Sequence, residues 1–125
     1  MQAVRIRGVV PQWRHNAGES ITTSMTVEGG RVYFGTINGK VVALNKSSGQ
    51  VAWEFPVDGG VHSTPVVSGG MVVFGSDKGV VYALDGATGN KRWEFATGRE
   101  ILSDPAVSGG VVYVGSYDGN LYAFQ

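Results

Sequence analysis

Short apolar segments separated by glycine-containing turns make up most of the chain. Residues 62–95 contain four of them, and the turns between them carry Gly69-Gly70 and Asp77-Lys78-Gly79. Glycine adopts the positive φ that tight hairpin turns need, so this pattern predicts an antiparallel meander without helical periodicity. The predicted strands are Ser63–Val67, Met71–Ser76, Val80–Asp85 and Asn90–Ala96.

The predicted strands are apolar on both faces instead of alternating between apolar and polar residues. Val111–Val114 and Val81–Leu84 show this most clearly. A sheet with one solvent-exposed face would alternate apolar and polar residues, so each sheet is expected to be covered on both sides. Four-stranded sheets packed face to face around an axis form a β-propeller, and an ordinary β-sandwich is the alternative.

A repeat of 40 residues favours the propeller. Trp13, Trp53 and Trp93 follow this spacing, and the glycine pairs at 29–30, 69–70 and 109–110 share it. A fixed period in the range of about 20–50 residues indicates a repeat architecture. We therefore expect one domain over residues 1–125, with an N-terminal segment at 1–15 and repeats at about 16–55, 56–95 and 96–125.

The segment from Ala83 to Trp93 resembles the tryptophan-docking motif of pyrroloquinoline-quinone (PQQ)-type repeats, A-x-D-x-x-T-G-x-x-x-W. Residues 43–53 match it with Asn for Asp and Ser for Thr. The resemblance covers about Trp13 to Phe124 and implies an all-β propeller in which each tryptophan packs against the next motif. The expected docking residues are Trp13, Trp53, Trp93, Ala43, Gly49, Ala83, Asp85, Thr88 and Gly89.

The last repeat stops after its third strand, whereas a tryptophan-bearing strand stands alone at Pro11–His15. The N-terminal strand is therefore expected to complete the last blade, in the same chain or in a partner. Three blades are fewer than the 4–8 of a typical closed ring. We expect a homo-oligomer, most simply a six-bladed dimer. A fragment of a larger propeller is the alternative.

The composition of the chain excludes several classes of function. The chain has 10 basic and 10 acidic residues without a basic run, so a nucleic-acid partner is not expected. No apolar stretch approaches the roughly 20 residues that cross a bilayer. There is no cysteine, which excludes disulfides, thiolate metal sites and a cysteine nucleophile. We expect no cofactor and no enzymatic activity.

Differences between the repeats mark the candidate binding residues. The residues at one repeat position are Thr22, His62 and Leu102, and Ser24, Thr64 and Asp104 share another. These segments are expected to open the innermost strands near the central channel. A polar funnel for a ligand or a peptide is one interpretation, and solvated channel-mouth residues are the other. The candidate rim residues are His62, Asp104, Arg99 and Glu100.

The preferred functional hypothesis is a non-catalytic module for binding or assembly, with a protein or peptide partner at the propeller face. A piece of a quinoprotein dehydrogenase is the first alternative. A minimal or engineered repeat protein without an evolved ligand is the second. The resemblance to PQQ-type repeats implies a bacterial, extracytoplasmic setting, in the periplasm or at the cell surface.

Overall fold

A computed structural model describes residues 10–125, and all of its regular structure is antiparallel β-sheet. The first sheet contains the first four strands, the second sheet the next four and the third sheet the last three, each in the order of the sequence. The strands are β1 Thr26–Glu28, β2 Arg31–Gly35, β3 Lys40–Asn45, β4 Val51–Pro56, β5 Val66–Ser68, β6 Met71–Gly75, β7 Val80–Asp85, β8 Lys91–Ala96, β9 Ala106–Ser108, β10 Val111–Gly115 and β11 Leu121–Phe124.

The hairpins form at the predicted glycine turns. Gly69 and Gly70 have φ of 57° and 78°, and Gly29 and Gly30 repeat these values at 59° and 79°. Residues with a Cβ rarely adopt such angles, so glycine fixes where β5 turns into β6. The predicted meander is thus confirmed.

Successive sheets pack face to face through alternating side chains. Tyr33, Val41 and Ala43 of the first sheet form one core cluster with Phe74 and Leu84 of the second. The intervening positions of the second sheet form another cluster with the third sheet, through Val73, Val81, Val112 and Val114. The second sheet is therefore apolar on both faces, as the sequence predicts.

A glycine in the second strand of a sheet makes room for the next sheet. A Cβ on Gly35 would overlap Val61, and one on Gly75 would overlap Ile101. The backbone adds to this contact, because the Val61 amide donates to the Thr36 carbonyl at 3.0 Å. The Ile101 amide makes the equivalent bond to Ser76 at 3.1 Å.

The first strand of each sheet begins later than the sequence predicts. The second sheet begins at Val66, not at Ser63. The preceding residues bond to other sheets instead, since the Thr64 hydroxyl accepts from the Ser24 amide at 3.1 Å. The Thr64 amide in turn donates to Asp104 at 2.8 Å. Pro65 comes next and has no amide hydrogen to give to a ladder.

The third sheet has three strands within residues 10–125. The N-terminal segment does not complete it inside this chain, because Trp13 and Ala17 pack on the opposite side of the first sheet, against Phe34, Val42 and Leu44. Completion of the third sheet by a partner chain stays a prediction. The first nine residues of the predicted N-terminal segment 1–15 lie outside the described residues.

Candidate binding surfaces

Trp53 joins the first sheet to the second. Its indole covers Gly89, where an added Cβ would lie 2.5 Å from Cδ2. Its Nε1 donates to the Gly86 carbonyl at 2.9 Å. Opposite Trp53 in the ladder lies Ala43, which is fully buried and leaves space for the ring.

The docking loop around Gly89 is shaped by its own polar side chains. Asp85 Oδ1 accepts from the amides of Ala87 at 2.9 Å and Thr88 at 3.2 Å. The Thr88 hydroxyl accepts from the Asn90 amide at 3.2 Å. An aspartate followed by threonine and glycine thus closes the loop with local hydrogen bonds, which is the ordinary use of these residues in turns.

Trp13 is docked in the same way on the loop of the first sheet. A Cβ on Gly49 would lie 2.5 Å from its Cδ2. Its Nε1 donates to the Lys46 carbonyl at 2.9 Å. Trp13 therefore occupies the position of a fourth-strand tryptophan belonging to a sheet before the first.

Trp93 has different surroundings. It lies opposite Ala83 in the ladder, and its ring packs against Phe124 with a centroid distance of 5.2 Å. Within the described part of the chain no docking loop comes after β11. Of the three predicted docking tryptophans, two thus contact a loop glycine and the third contacts a phenylalanine.

The four candidate rim residues form three separate groups. His62 Nε2 lies 3.7 Å from Asp77 Oδ2, and Asp77 Oδ1 accepts from the Gly60 amide at 2.9 Å. Asp104 makes a different contact, because it accepts from the Thr64 amide. The contacts therefore place His62 and Asp104 in different roles, although both are breaks in the repeat.

Arg99 and Glu100 form the third group at the connection to the third sheet. Arg99 Nε donates to Glu100 Oε1 at 2.8 Å. The pKa of Glu100 lies below its ordinary value, first because its own backbone amide stabilises the carboxylate and then because Arg99 does. The Glu100 carbonyl accepts from the Tyr117 amide at 3.0 Å, which fixes the connection on the third sheet.

A cleft of about 530 Å³ between the first and second sheets was not predicted. Arg31 Nη1 crosses it and donates to the carbonyls of Gly86 at 3.0 Å and Ala87 at 3.3 Å. The Tyr33 hydroxyl lies 3.4 Å from the same Gly86 carbonyl. Arg31 carries no local sequence signal for this role, because its acceptors lie on a loop of the next repeat.

The two end faces of the molecule are apolar and exposed. Leu121 is 72% exposed, whereas Val41 and Val81 at the same repeat position are completely buried. Ile21 is 42% exposed, whereas its equivalents Val61 and Ile101 are completely buried. Beside Ile21 lies an apolar hollow of about 210 Å³, lined by Trp13, His15, Ile21, Met25, Val32, Phe34 and Leu44.

Two kinds of site are absent from the part of the chain that the structure describes. Among residues 10–125, no group of three or more His, Asp or Glu side chains is arranged to hold a metal ion. Over the same residues, no helix is long and apolar enough to span a membrane.

Antiparallel sheets that pack face to face, with tryptophans joining one sheet to the next, define a β-propeller protein. A family model described as outer membrane protein assembly factor BamB matches residues 10–125. The chain therefore belongs to this family of PQQ-like propellers, as its docking motifs indicated. No curated protein sequence matches the chain.

Solved structures agree with this assignment. BamB from Moraxella catarrhalis superposes with a TM-score of 0.82 at 26% identity, over 91% of this chain and 36% of that one. Sqt1 from Saccharomyces cerevisiae superposes with a TM-score of 0.72 over 85% of this chain and 31% of that one. At 16% identity, the second match shows the fold alone. The chain spans about a third of either structure.

Proposed function

We propose that this chain is a non-catalytic propeller module that binds protein, and that its end faces are the binding surfaces. The exposure of Leu121 carries the proposal, because the same repeat position is completely buried at both internal interfaces. Burying a leucine side chain contributes about 1.5–3 kcal/mol. Exposed apolar patches of this kind mark interaction surfaces. Membership of a family described as an assembly factor supports the same function.

The assembly we favour is a six-bladed ring of two copies. The chain carries three sheets, and six is the only multiple of three within the 4–8 blades typical of a closed propeller. Two copies cover both end faces of each chain and leave a central channel. The candidate rim residues Arg99 and Glu100 would then border a surface for a protein or peptide partner.

Sedimentation equilibrium at micromolar concentration tests the assembly. We expect a mass of twice the 13.2 kDa chain. A compact monomer over the same concentration range would contradict the ring. In that case, the remaining use of the end faces is contact with other propeller repeats or with a different protein.

The non-catalytic part of the proposal has its own support and test. Trp53 is buried against Gly89 and donates to the Gly86 carbonyl, so its ring is not open for stacking on a quinone. We expect no dye reduction when PQQ and calcium are added with an alcohol substrate. Turnover above the protein-free background would assign the chain to the quinoprotein dehydrogenases instead. A periplasmic or cell-surface location is proposed on family membership alone.

A further inference from the structure

We infer that the two end faces are the halves of one joint, so that a second copy of this chain docks on the third sheet in a defined register. In this joint, residues 11–16 of one copy add as a fourth strand to β11 of the other. Ile21 of the first copy then fills the space above Gly115 of the second. This inference rests on the proposed assembly and specifies its contacts.

The position of Trp13 gives the register of the added strand. Trp53 lies opposite Ala43 and Trp93 lies opposite Ala83, each in the fourth strand of its sheet. Ala123 is the equivalent residue of β11, and within the described residues the edge of β11 away from β10 has no partner strand. Trp13 already docks on a loop as a fourth-strand tryptophan does. Strand addition therefore sets Trp13 opposite Ala123 of the other copy.

Gly115 provides a second, independent match. Gly35 and Gly75 each lie directly beneath a branched side chain of the following sheet, Val61 and Ile101 respectively. Among residues 10–125 the space above Gly115 is open, since an added Cβ would have only the Ser103 hydroxyl at 3.7 Å within contact distance. The residue at the repeat position of Val61 and Ile101 that remains exposed is Ile21.

The backbone hydrogen bonds between sheets support the same register. The carbonyls of Thr36 and Ser76 each accept two amides, one from their own turn and one from the next sheet. In the described part of the chain, the Ser116 carbonyl accepts only from its own turn, at Gly119. The amide of Ile21 in a second copy is its expected second donor. The amides of Ser24 and Thr64 each donate to the side chain of the equivalent residue in the next sheet. By the same pattern, we expect the Asp104 amide to donate to the Ser24 hydroxyl of the other copy.

Tyr113 completes the set of matches. Tyr33, at the same repeat position, points its hydroxyl at the Gly86 carbonyl, where Trp53 also donates. Trp13 donates to the Lys46 carbonyl in the equivalent loop. The joint would bring the exposed Tyr113 hydroxyl to the Lys46 carbonyl of the other copy, beside Trp13.

Gly115→Ala tests this register with a small change. In the separate chain the methyl group has room, and the φ of Gly115 lies outside the left-handed region. In the joint the methyl group would overlap Ile21, and overpacking of this size weakens binding by about 10-fold to 100-fold. Gly75→Ala is the matched control, because there the same clash lies inside the chain and lowers the melting temperature of the monomer.

The readouts are the dimer dissociation constant, from sedimentation, and the thermal melt of the dilute monomer. We expect Gly115→Ala to weaken the dimer without changing the monomer melt. Adding Ile21→Ala to Gly115→Ala should recover at least part of the affinity, since the smaller side chain leaves room for the methyl group. A wild-type dimer that tolerates Gly115→Ala would overturn the register and leave the assembly proposal standing. A monomeric wild type would overturn both.

Discussion

The three tryptophans share one repeat position but differ in the groups that cover them. Trp53 is buried against Gly89 and donates to Gly86, whereas Trp93 is half-buried against Phe124. The sequence predicts all three as docking residues, because they recur at the same spacing. It could not show that Trp93 contacts Phe124 instead of a loop glycine, since that depends on how the last two sheets pack.

Trp53→Ala should therefore cost more stability than Trp93→Ala. Removing a buried tryptophan costs about 3–5 kcal/mol through the lost contacts and the cavity that remains. Urea denaturation of both variants measures the difference, with Trp93→Ala as the matched control. A loss below about 1 kcal/mol for Trp53→Ala would contradict its role as the connection between two sheets.

Asp118 offers a test at the level of one titrating group. The Tyr122 hydroxyl donates to Asp118 Oδ2 at 2.5 Å, and this bond is the main reason why the pKa of Asp118 lies below its ordinary value. A lowered pKa in the folded state means that this contribution to stability is present above the unfolded pKa. It is lost as the pH falls through the folded pKa.

Tyr122→Phe removes the donor and should raise the pKa of Asp118 towards its ordinary value. A carboxyl carbon NMR titration of both proteins measures the shift. Tyr117→Phe is the control, because Tyr117 is 59% exposed and its hydroxyl makes no hydrogen bond within the described residues. An unchanged Asp118 midpoint in Tyr122→Phe would show that the phenol does not stabilise the carboxylate.

Asp104 shows a role that the sequence could not reveal at the residue scale. Its difference from Ser24 and Thr64 is visible in the repeat and suggested a polar funnel. Its carboxylate accepts from the Thr64 amide of the preceding sheet, and the funnel stays a prediction. An acceptor for a backbone amide 40 residues away leaves no local pattern, so only the packed sheets reveal it.

At the scale of elements, the hairpin strands were predictable and the strand starts were not. β7 has the predicted bounds Val80–Asp85, because glycine turns delimit it on both sides. β5 begins three residues later than expected, because Ser63, Thr64 and Pro65 lie between sheets instead of in a ladder. Local patterns thus predict hairpins well, whereas contacts between sheets decide where the first strand begins.

Substitution by alanine should cost more stability at a glycine that lies under a side chain than at a glycine that lies only in a turn. Gly89→Ala adds both left-handed strain, at φ +79°, and overlap with Trp53. Gly69→Ala adds the strain alone, since none of the residues that the structure describes would lie within 4 Å of the added Cβ, and the φ of Gly69 is +57°. Overpacking costs about 1–3 kcal/mol, so Gly89→Ala should be less stable by at least about 1 kcal/mol. Equal urea midpoints would contradict the overlap.

At the scale of the whole molecule, the second sheet is covered on both faces and the third on one. Val73 and Val81 are completely buried between neighbours, whereas β11 has an exposed edge and an exposed Leu121. Local opening is governed by such burial, so protection from hydrogen exchange should be uneven along the chain.

Amide hydrogen exchange measures this unevenness. In a dilute monomer we expect β6 and β7 to exchange slowest and β11 fastest among the paired strands. At concentrations where dimers form, protection of β11 should rise while β6 and β7 change little. Uniform protection of the three sheets in the monomer would contradict a stability that depends on coverage by neighbours.

The fold could be predicted from the sequence, because the repeat has a period of 40 residues and the strands are apolar on both faces. The assembly could be expected from the strand count, but its contacts could not. The match of Ile21 to Gly115 depends on which side chains cross from one sheet to the next, as Val61 does above Gly35. That relation is invisible in either residue alone.

The packing of a branched side chain over a glycine of the preceding sheet has an evolutionary consequence. Gly35 and Val61 lie in different repeats, so the glycine cannot gain a side chain without a matching change in the neighbouring copy. Point substitutions there are constrained in pairs, whereas duplication or deletion of a whole 40-residue unit preserves every pair. Propellers of this family are thus expected to gain and lose blades by recombination more readily than they replace these glycines.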